Sequence, residues 1–366
     1  MGFRCGIVGL PNVGKSTLFN ALTATAAAEA AGYPFTTIEP NIGRVAVPDA
    51  RLARVAGLAG SDRALPTYLD FVDIAGLVAG ASRGEGLGNK FLAHIREVDA
   101  LLHVLRCFED PDVSHIEGRV EPVADAETVA TELMLADLES LERRAKGLSR
   151  KVRGGERDEA ARLALVERVL PLLREGRPAR ALVLATGEEK AFAELQLLSA
   201  KPVLYLSNVD EAAAASGNEH SARVARMAER EGAAAVVIAA ALEAEIAQLD
   251  EAEERALFLA DLGLEESGLA RVIRAGYDLL ELITFFTANE NEAHAWTLRR
   301  GGHAAQAAGR IHGDMERGFI SAETIAYDDL VAAGGESGAR EAGKMRLEGR
   351  DYPVEDGDVL RIRFHV

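Results

Sequence analysis

Short apolar runs of strand length recur along the chain and alternate with stretches of helical periodicity. Five of these runs predict buried strands, at residues 3–8, 68–72, 100–105, 203–207 and 234–238. Helical segments lie between them, and strands that alternate with helices favour a mostly parallel sheet with helices on both faces. The pattern therefore predicts an α/β domain.

A long stretch without any strand pattern interrupts this alternation between about residues 126 and 174. Its apolar positions repeat at alternating intervals of four and three residues, first at Met134, Leu138, Leu141, Ala145, Leu148 and Val152. After Gly154 and Gly155 a similar spacing resumes at Leu163, Val166, Leu170 and Leu173. This heptad pattern predicts two antiparallel helices joined at the glycines, a coiled-coil hairpin inserted at residues 126–198.

The chain changes character again after Leu282. Residues 352–354 and 359–364 flank Asp356 and Gly357, and the second run alternates apolar and basic side chains. This predicts a strand–turn–strand unit within a small C-terminal α+β domain, residues 282–366. The α/β domain would then comprise residues 1–125 and 199–281.

Composition and charge narrow the class of protein. The 366 residues carry a net charge of −17, which argues against broad, non-specific nucleic-acid binding but leaves room for a local basic patch. The two cysteines, Cys5 and Cys107, make neither a disulfide scaffold nor a zinc site. We find no apolar run of about 18 residues and no signal-peptide pattern, so we expect a cytoplasmic protein with no membrane partner.

The strongest chemical signal follows the first predicted strand. The motif G-x-x-x-x-G-K-[ST] is matched by Gly9-Leu10-Pro11-Asn12-Val13-Gly14-Lys15-Ser16, with a helical stretch after it. Glycines permit a tight loop whose backbone N–H groups point at phosphate oxygens; the lysine neutralises the β and γ phosphates and the serine ligates Mg²⁺. The candidate nucleotide contacts are Asn12, Val13, Gly14, Lys15, Ser16 and Thr17.

A second marker, Asp73-Ile74-Ala75-Gly76, fits the D-x-x-G switch at the end of a predicted strand. Asp73 would hold Mg²⁺ through a water molecule, and the Gly76 N–H would contact the γ phosphate. Between the two motifs, Thr37 lies in a loop and is a candidate to complete the Mg²⁺ shell. The alternative for Thr37 is a solvated loop residue.

The base-side motif departs from the guanine-binding pattern. GTPases carry N-K-x-D there, and the aspartate accepts two hydrogen bonds from guanine. Here Asn208 is retained, but Val209 replaces the lysine and Glu211 replaces the aspartate, so selection should relax or shift toward adenine. A shifted loop that presents Asp210 is the alternative. The last base-side motif is all alanine, with Ala240 as the candidate backbone contact.

These motifs together resemble the Obg family of translation-factor-class P-loop proteins, and within it the YchF-type branch, the Obg-like ATPases. The resemblance rests on the P-loop, residues 34–41, 73–78 and 84–92, the variant at 208–211, and residues 312–320, and it spans nearly the whole chain. It implies Mg²⁺-dependent hydrolysis of ATP, usually in preference to GTP, association with ribosomes, and a β-grasp-like TGS domain at the C-terminus. We expect a monomer.

The resemblance also bears on the rate of hydrolysis. Leu77 stands where Ras-like enzymes have a glutamine that positions the attacking water, so basal turnover should be slow. Asn12 matches an asparagine that helps hold K⁺ in related enzymes, and His115 matches a family histidine thought to approach the phosphates. The alternatives are that Asn12 only shapes its loop and that His115 is an ordinary surface residue.

The tip of the predicted hairpin is basic, in contrast to the acidic chain. Arg150, Lys151 and Arg153 are its core, and they are candidates to contact ribosomal RNA, on the large subunit or the whole ribosome; the alternative is a solvated helix face. Two rival functions stay open: a GTPase switch with the same fold, and a nucleotide-gated ribosome adaptor with negligible turnover. A metabolic kinase is a weaker third.

Overall fold

The computed structural model describes residues 3–30, 41–74, 87–110, 119–154, 158–249 and 251–365, with the side chains of 25–30, 87–90, 158 and 252 left out. The chain forms two compact units. The first contains residues 3–43 and 70–272, and the second contains residues 44–69 and 273–366.

The first sheet has six strands in the order β2-β4-β1-β5-β6-β7. The strands are β1 (Arg4–Val8), β2 (Ile42–Ala46), β4 (Tyr68–Asp73), β5 (Ala100–Arg106), β6 (Val203–Asn208) and β7 (Ala234–Ile238), and β3 (Arg63–Leu65) belongs to the second sheet. The neighbours from β4 through β7 pair in parallel. All five predicted strands are confirmed, and β5 and β6 are buried along their whole length.

The helices of this unit connect the strands. They are α1 (Lys15–Ala30), α3 (Leu87–Glu97), α4 (Pro122–Arg153), α5 (Asp158–Arg174), α6 (Glu189–Ala193), α7 (Glu219–Glu231), α8 (Ala240–Ile246), α9 (Ala252–Asp261) and α10 (Gly268–Leu279), whereas α2 (Ala50–Ala59) belongs to the second unit. The division between the units falls within α10. No helix in the described ranges has the length and apolar character needed to cross a membrane.

The inserted hairpin is present as α4 and α5. Gly154 caps the C-terminus of α4, and only residues 155–157 separate the helices, so they run antiparallel. Leu141, Val166, Leu170 and Leu173 are buried in one core, as the heptad pattern predicted. Leu163 is only partly buried, whereas Leu165 and Val169 join the core. The apolar stripe of α5 is wider than a two-helix seam because the segment after it also packs there, through Ala179, Leu195 and Leu197.

A buried carboxylate fastens this hairpin where the chain returns to the sheet. Asp137 is 2 % exposed. Its Oδ1 accepts the Leu198 N–H at 2.9 Å, and its Oδ2 accepts the Ser199 N–H at 2.7 Å and the Ser199 hydroxyl at 2.6 Å. Burial raises the pKa of Asp137, and the three hydrogen bonds oppose that shift.

The second unit is a small α+β domain, as predicted. Its sheet has the order β11-β10-β12-β8-β9-β3, with β8 (Leu282–Ala288), β9 (Glu292–Arg299), β10 (Phe319–Ile325), β11 (Arg346–Glu348) and β12 (Val359–Phe364). Its further helices are α11 (Ala304–Ile311), α12 (Gly313–Arg317), α13 (Tyr327–Ala332) and α14 (Glu336–Glu341).

Of the strand–turn–strand unit predicted at residues 352–364, the turn at Asp356 and Gly357 and the second strand, β12, are confirmed, whereas the first strand is wrong. β12 pairs with β10 and β8, and residues 352–354 supply only an isolated bridge between Pro353 and His303. The side chain expected in the turn is used elsewhere. Asp356 accepts the Thr284 N–H at 2.8 Å and pairs with Arg51 at 2.7 Å.

Residues 44–69 differ most from the expected organisation. The sequence pattern placed them in the P-loop domain, whereas their contacts place them in the second unit with residues 273–366. The apolar face of α2, with Leu52, Val55 and Ala56, packs in a core with Phe286 of β8 and Ala295 of β9. The boundaries of the inserted domain at 126 and 198 stay a prediction.

We expect Asp137→Ala to lower the free energy of unfolding by about 1–3 kcal/mol, because it leaves two buried N–H groups without their acceptor. Urea unfolding followed by circular dichroism measures the change. Glu139→Ala on the same helix is the matched control, since its side chain is 64 % exposed. Equal stability of the two variants would show that Asp137 does not fasten the hairpin.

Candidate functional site

The phosphate loop, residues 9–16, joins β1 to the N-terminus of α1. Gly9 and Gly14 have φ angles of 152° and 95°, and Asn12 adopts the left-handed region with φ of 63°. A Cβ on Gly9 would lie 2.5 Å from the Val104 carbonyl oxygen, so only glycine fits this approach to β5. The loop therefore opens α1 in the strand–loop–helix arrangement that presents backbone N–H groups to an anion.

Lys15 is the buried cation of this loop. Its side chain is 8 % exposed, and Nζ donates to the Leu10 carbonyl at 2.6 Å. Burial lowers the pKa of Lys15 to about 8, and the charge of Asp73 opposes the shift. An ammonium has three N–H donors, so Lys15 can keep this contact and still reach phosphate oxygens.

Two oxygen ligands suitable for Mg²⁺ lie beside Lys15. Ser16 is exposed in the first turn of α1, next to an exposed Thr17. Asp73 ends β4; burial raises its pKa and the charge of Lys15 opposes the shift. Mg²⁺ prefers hard oxygen ligands and is often held by one or two protein groups together with water and substrate phosphates. The exposed hydroxyl of Ser16 and the carboxylate of Asp73 are oxygen donors of this kind, so the residues present fit such a site.

Asn208 connects the phosphate loop to the base-side turn. Its Nδ2 donates to the Val13 carbonyl at 2.9 Å, and its Oδ1 accepts the Ala240 N–H at 2.9 Å. The amide is 4 % exposed and lies so close to Gly14 that a Cβ there would clash with it. Asn208 therefore fixes the distance between the two halves of the site, and the Ala240 N–H is already paired.

The rest of the base-side motif is arranged around a short 3₁₀ helix, Glu211–Ala213. Val209 is 4 % exposed, and its N–H donates to the Ile238 carbonyl at 2.8 Å. Asp210 caps the 3₁₀ helix, with Oδ1 accepting the Ala213 N–H at 3.0 Å. Glu211 is exposed. The cap gives Asp210 a structural role, which disfavours the shifted loop as a means of binding guanine.

Several predicted site residues lie outside the described part of the chain. They are Thr37, Gly76, Leu77 and His115. Their roles stay predictions. Asn12 is described and exposed at the bend of the phosphate loop, where its left-handed backbone suits either of the two roles considered for it.

Arg106 is a residue of the site region that the sequence analysis missed. It ends β5 with 2 % exposure, and its guanidinium donates to the carbonyls of Phe108 and Asp110, both at 3.2 Å. The same group lies 4.6 Å from the centre of the Phe108 ring. Arg106 thus holds the chain that leaves β5. The signal in the sequence that could have identified Arg106 is a single arginine at the end of an otherwise apolar strand.

The basic tip, defined as Arg150, Lys151 and Arg153, occupies the last turn of α4. All three side chains are exposed, and Lys151 pairs with Glu159 at 3.1 Å. Cations in the last turn of a helix also interact favourably with its dipole. The solvated-face alternative therefore has a physical basis of its own.

Two family models match the chain. The model described as a 50S ribosome-binding GTPase matches residues 4–137. The model YchF-GTPase_C, described as a protein of unknown function, matches residues 282–365.

Curated relatives match over the full length. A protein of Haemophilus ducreyi named "Ribosome-binding ATPase YchF" is 55% identical, and one of the same name from Bacillus subtilis is 50% identical, with 100% of each chain covered in both comparisons. A solved structure, the YchF GTPase of Schizosaccharomyces pombe, is similar at 36% identity with a TM-score of 0.89, covering 99% of this chain and 98% of that one.

We expect Lys15→Ala and Ser16→Ala each to abolish productive binding of the Mg²⁺–triphosphate complex. Lys15 supplies the charge on the phosphates and Ser16 the metal ligand. Asp73→Ala should keep part of the nucleotide affinity and lose turnover. Calorimetric titration with Mg·ATP, together with phosphate release, measures both properties. Thr23→Ala is a matched control on the same helix for Ser16, because it removes a hydroxyl that bonds to the Phe19 carbonyl and lies outside the candidate nucleotide contacts. Unchanged affinity in Lys15→Ala would show that the phosphate cradle is misassigned.

Proposed function

The chain belongs to the YchF family of P-loop nucleotide hydrolases, and we propose that it is a Mg²⁺-dependent ATPase that hydrolyses ATP to ADP and phosphate and associates with ribosomes. The observation that carries the proposal is the phosphate loop, with Lys15 and Ser16 at the start of α1 and Asp73 beside them. The names of the full-length relatives add ATP and the ribosome as the ligands.

The described residues account for binding and charge stabilisation. Lys15 and the N-terminus of α1 neutralise the β and γ phosphates. Ser16 directly, and Asp73 through water, would hold Mg²⁺, which screens the charge that develops on the phosphate oxygens. Water adds to the γ phosphorus, the bond to the bridging oxygen breaks and ADP leaves; one proton of the water stays on the inorganic phosphate and the other is released to solvent. With Leu77 at the position of the Ras glutamine, no side chain there orients the water, and basal hydrolysis is slow.

The choice of base is the finer part of the proposal. The names of the similar proteins differ in the nucleotide. The curated relatives are named ATPases, whereas the solved structure and the matching family model are named GTPases. The geometry around the 3₁₀ helix supports adenine. Asp210 is committed to a helix cap, Val209 offers no polar group, and Glu211 has a longer side chain than the aspartate that guanine requires.

We expect ATP to compete more strongly than GTP for the site. Restoring the guanine motif with Val209→Lys and Glu211→Asp should shift the preference toward GTP by about 1–3 kcal/mol, by analogy with bidentate base contacts. Competition of ATP and GTP against a fluorescent nucleotide measures the ratio. Asp210→Asn, whose side-chain oxygen can still cap, is the control and should leave the ratio unchanged. Equal or tighter binding of GTP by the unaltered protein would contradict the proposed base preference.

We propose that a monovalent cation compensates for the water-positioning glutamine that Leu77 replaces, by stabilising charge on the phosphates. Asn12 carries this proposal, because its left-handed backbone places an exposed amide at the bend of the phosphate loop. A K⁺ ion held there would stabilise charge on the β and γ phosphates as an arginine finger does. His115 or a group from a partner is the alternative supplier.

K⁺ should accelerate basal ATP hydrolysis, and Na⁺ should not. Turnover in matched K⁺ and Na⁺ buffers at one ionic strength gives the comparison. Asn12→Gly keeps the left-handed backbone and removes the amide, so the K⁺ effect should disappear without loss of the loop. Identical rates in the two buffers would remove the cation from the mechanism.

The ribosome contact is proposed at the basic tip. α4 has 32 residues and is about 48 Å long at 1.5 Å per residue. The side chains of Arg150, Lys151 and Arg153 are exposed in its last turn. Ribosomal RNA is a polyanion, and contacts to its phosphates release counterions, so binding through this tip should weaken steeply as salt rises.

Replacing Arg150, Lys151 and Arg153 with Ala should weaken co-sedimentation with ribosomes and flatten its salt dependence, while ATP affinity stays unchanged. The control is a second triple variant on α5, Arg162, Arg168 and Arg174 to Ala, which removes the same charge from exposed ion pairs. If the tip variant co-sediments with ribosomes to the same extent as the control at every salt concentration, the basic tip is a solvated helix face.

A further inference from the structure

The chain leaves the first unit and returns to it between two parts of the candidate nucleotide site. It enters the second unit at residue 44, shortly after the segment that contains Thr37, and returns at residue 70, just before Asp73. We call residues 44–69 the interposed segment. It is covalently tied to the first unit at both ends, where its first and last residues belong to the strands β2 and β4 of the first sheet, and α2 and β3 between them pack within the second unit.

The two ends of the interposed segment lead to one point beside the predicted magnesium ligand. The Asp73 N–H donates to the Asn41 carbonyl at 2.9 Å, and Asn41 adopts a left-handed backbone with φ of 70°. A second backbone hydrogen bond joins the two ends of the segment within the second unit, where the Val47 N–H donates to the Thr67 carbonyl at 2.8 Å. A shift of Asp73 along its strand would therefore pull on both ends of the segment.

The body of the segment is built into the core of the second unit. Leu52 and Val55 of α2 are 7 % and 0 % exposed, and they share a hydrophobic core with Phe286, Ile325 and Leu330. β3 extends the sheet through parallel pairing of Arg63, Ala64 and Leu65 with Glu292, Ala293 and His294 of β9. Burial of this kind resists independent movement, because cores are close-packed.

Polar contacts fasten the same segment at three further places. Arg51 pairs with Asp356 at 2.7 Å, and Arg51 also pairs with Asp49 at 2.7 Å. The Ser61 hydroxyl donates to the Asn289 carbonyl at 2.5 Å, and the Asp62 N–H to the Glu290 carbonyl at 3.0 Å. The hydroxyls of Thr67 and Thr297 lie 2.5 Å apart.

The Arg51–Asp356 ion pair makes more interactions than the other polar contacts of the interposed segment described above. Burial alone would raise the pKa of Asp356, but hydrogen bonds from Arg51 and from the Thr284 N–H outweigh it and lower that pKa. The Arg51 guanidinium also lies 5.5 Å from the centre of the Phe286 ring. One arginine thus joins α2, β8 and the turn before β12.

We propose that the interposed segment makes the second unit a sensor of the bound nucleotide. Loss of the γ phosphate changes the position of Asp73, the segment transmits the change, and β9 and the core around Phe286 respond. This inference rests on the proposed nucleotide function and adds its output element. Because coupling is reciprocal, whatever binds the second unit in one state also changes nucleotide affinity.

Hydrogen exchange of the full-length protein tests the inference directly. Samples are saturated with Mg·ADP or with a non-hydrolysable Mg·ATP analogue, and peptides from residues 44–69 and 282–299 are compared. Allosteric coupling typically changes an equilibrium constant by about 5–150-fold, and the opening equilibria that control hydrogen exchange are equilibrium constants of this kind. We expect exchange in these peptides to differ at least about fivefold between the two samples.

Arg51→Ala should reduce that difference and shift the ratio of ATP to ADP affinity. Arg340→Ala is its matched control, because Arg340 pairs only at the surface of the same unit, with Glu336. The comparison of the unaltered protein in its two nucleotide states does not depend on either variant, so a folding defect in Arg51→Ala leaves the test intact.

Calorimetry on the same samples separates the possible failures. If neither ATP nor GTP binds, the proposed function and this inference both fall. If nucleotide binds but the exchange differences are confined to residues 3–43 and 70–272, the inference alone is overturned and the interposed segment is only a covalent tether.

Discussion

The nucleotide site depends on one side-chain amide. Asn208 ends β6, and its two hydrogen bonds tie the Val13 carbonyl after β1 to the Ala240 N–H after β7. These strands are not neighbours in the sheet, since β5 and β6 lie between them. This bridge holds the phosphate loop against the base-side turn, and it therefore helps to fix the position of Lys15 relative to both. The glycine at position 14 follows from the same constraint, because any side chain there would meet the amide.

Local pattern predicted the elements that apolar periodicity within a single segment reveals. The apolar runs located five strands of the first sheet, and the heptad spacing located α4 and α5. The apolar runs did not locate β2 or β3, which are short: β2 has only two buried positions, Gly43 and Val45, and β3 has none. The sequence pattern also did not predict which core α2 joins. Leu52 and Val55 mark its buried face, but periodicity cannot show that Phe286, more than two hundred residues later, covers that face. At residues 352–364 the pattern located the turn and β12, but it could not show that this strand pairs with β10 and β8 instead of with residues 352–354.

In the candidate site the motifs predicted which residues take part, and the structure shows which hydrogen bonds and charges link them. Lys15 and Asp73 were identified separately and are electrostatically linked. Asn208 was expected to contact the nucleotide and is also the bridge between two loops. Arg106 was not predicted because it belongs to no motif; its role depends on carbonyls two and four residues further on, at the close of β5. The hairpin is similarly fixed along α4, where Asp137, halfway along the helix, holds Leu198 and Ser199, and Arg144 donates to the Leu195 carbonyl at 2.7 Å. A long arm anchored in this way can carry a basic tip away from an acidic body.

We propose that the chain hydrolyses ATP and that ribosomes are its partner. Steady-state release of phosphate from ATP, measured with and without purified ribosomes, tests both properties together, with Lys15→Ala as the blank. We expect slow release above the blank by the protein alone and faster release when ribosomes are added. Release equal to the blank in both conditions would contradict it and would leave a nucleotide-gated adaptor without turnover.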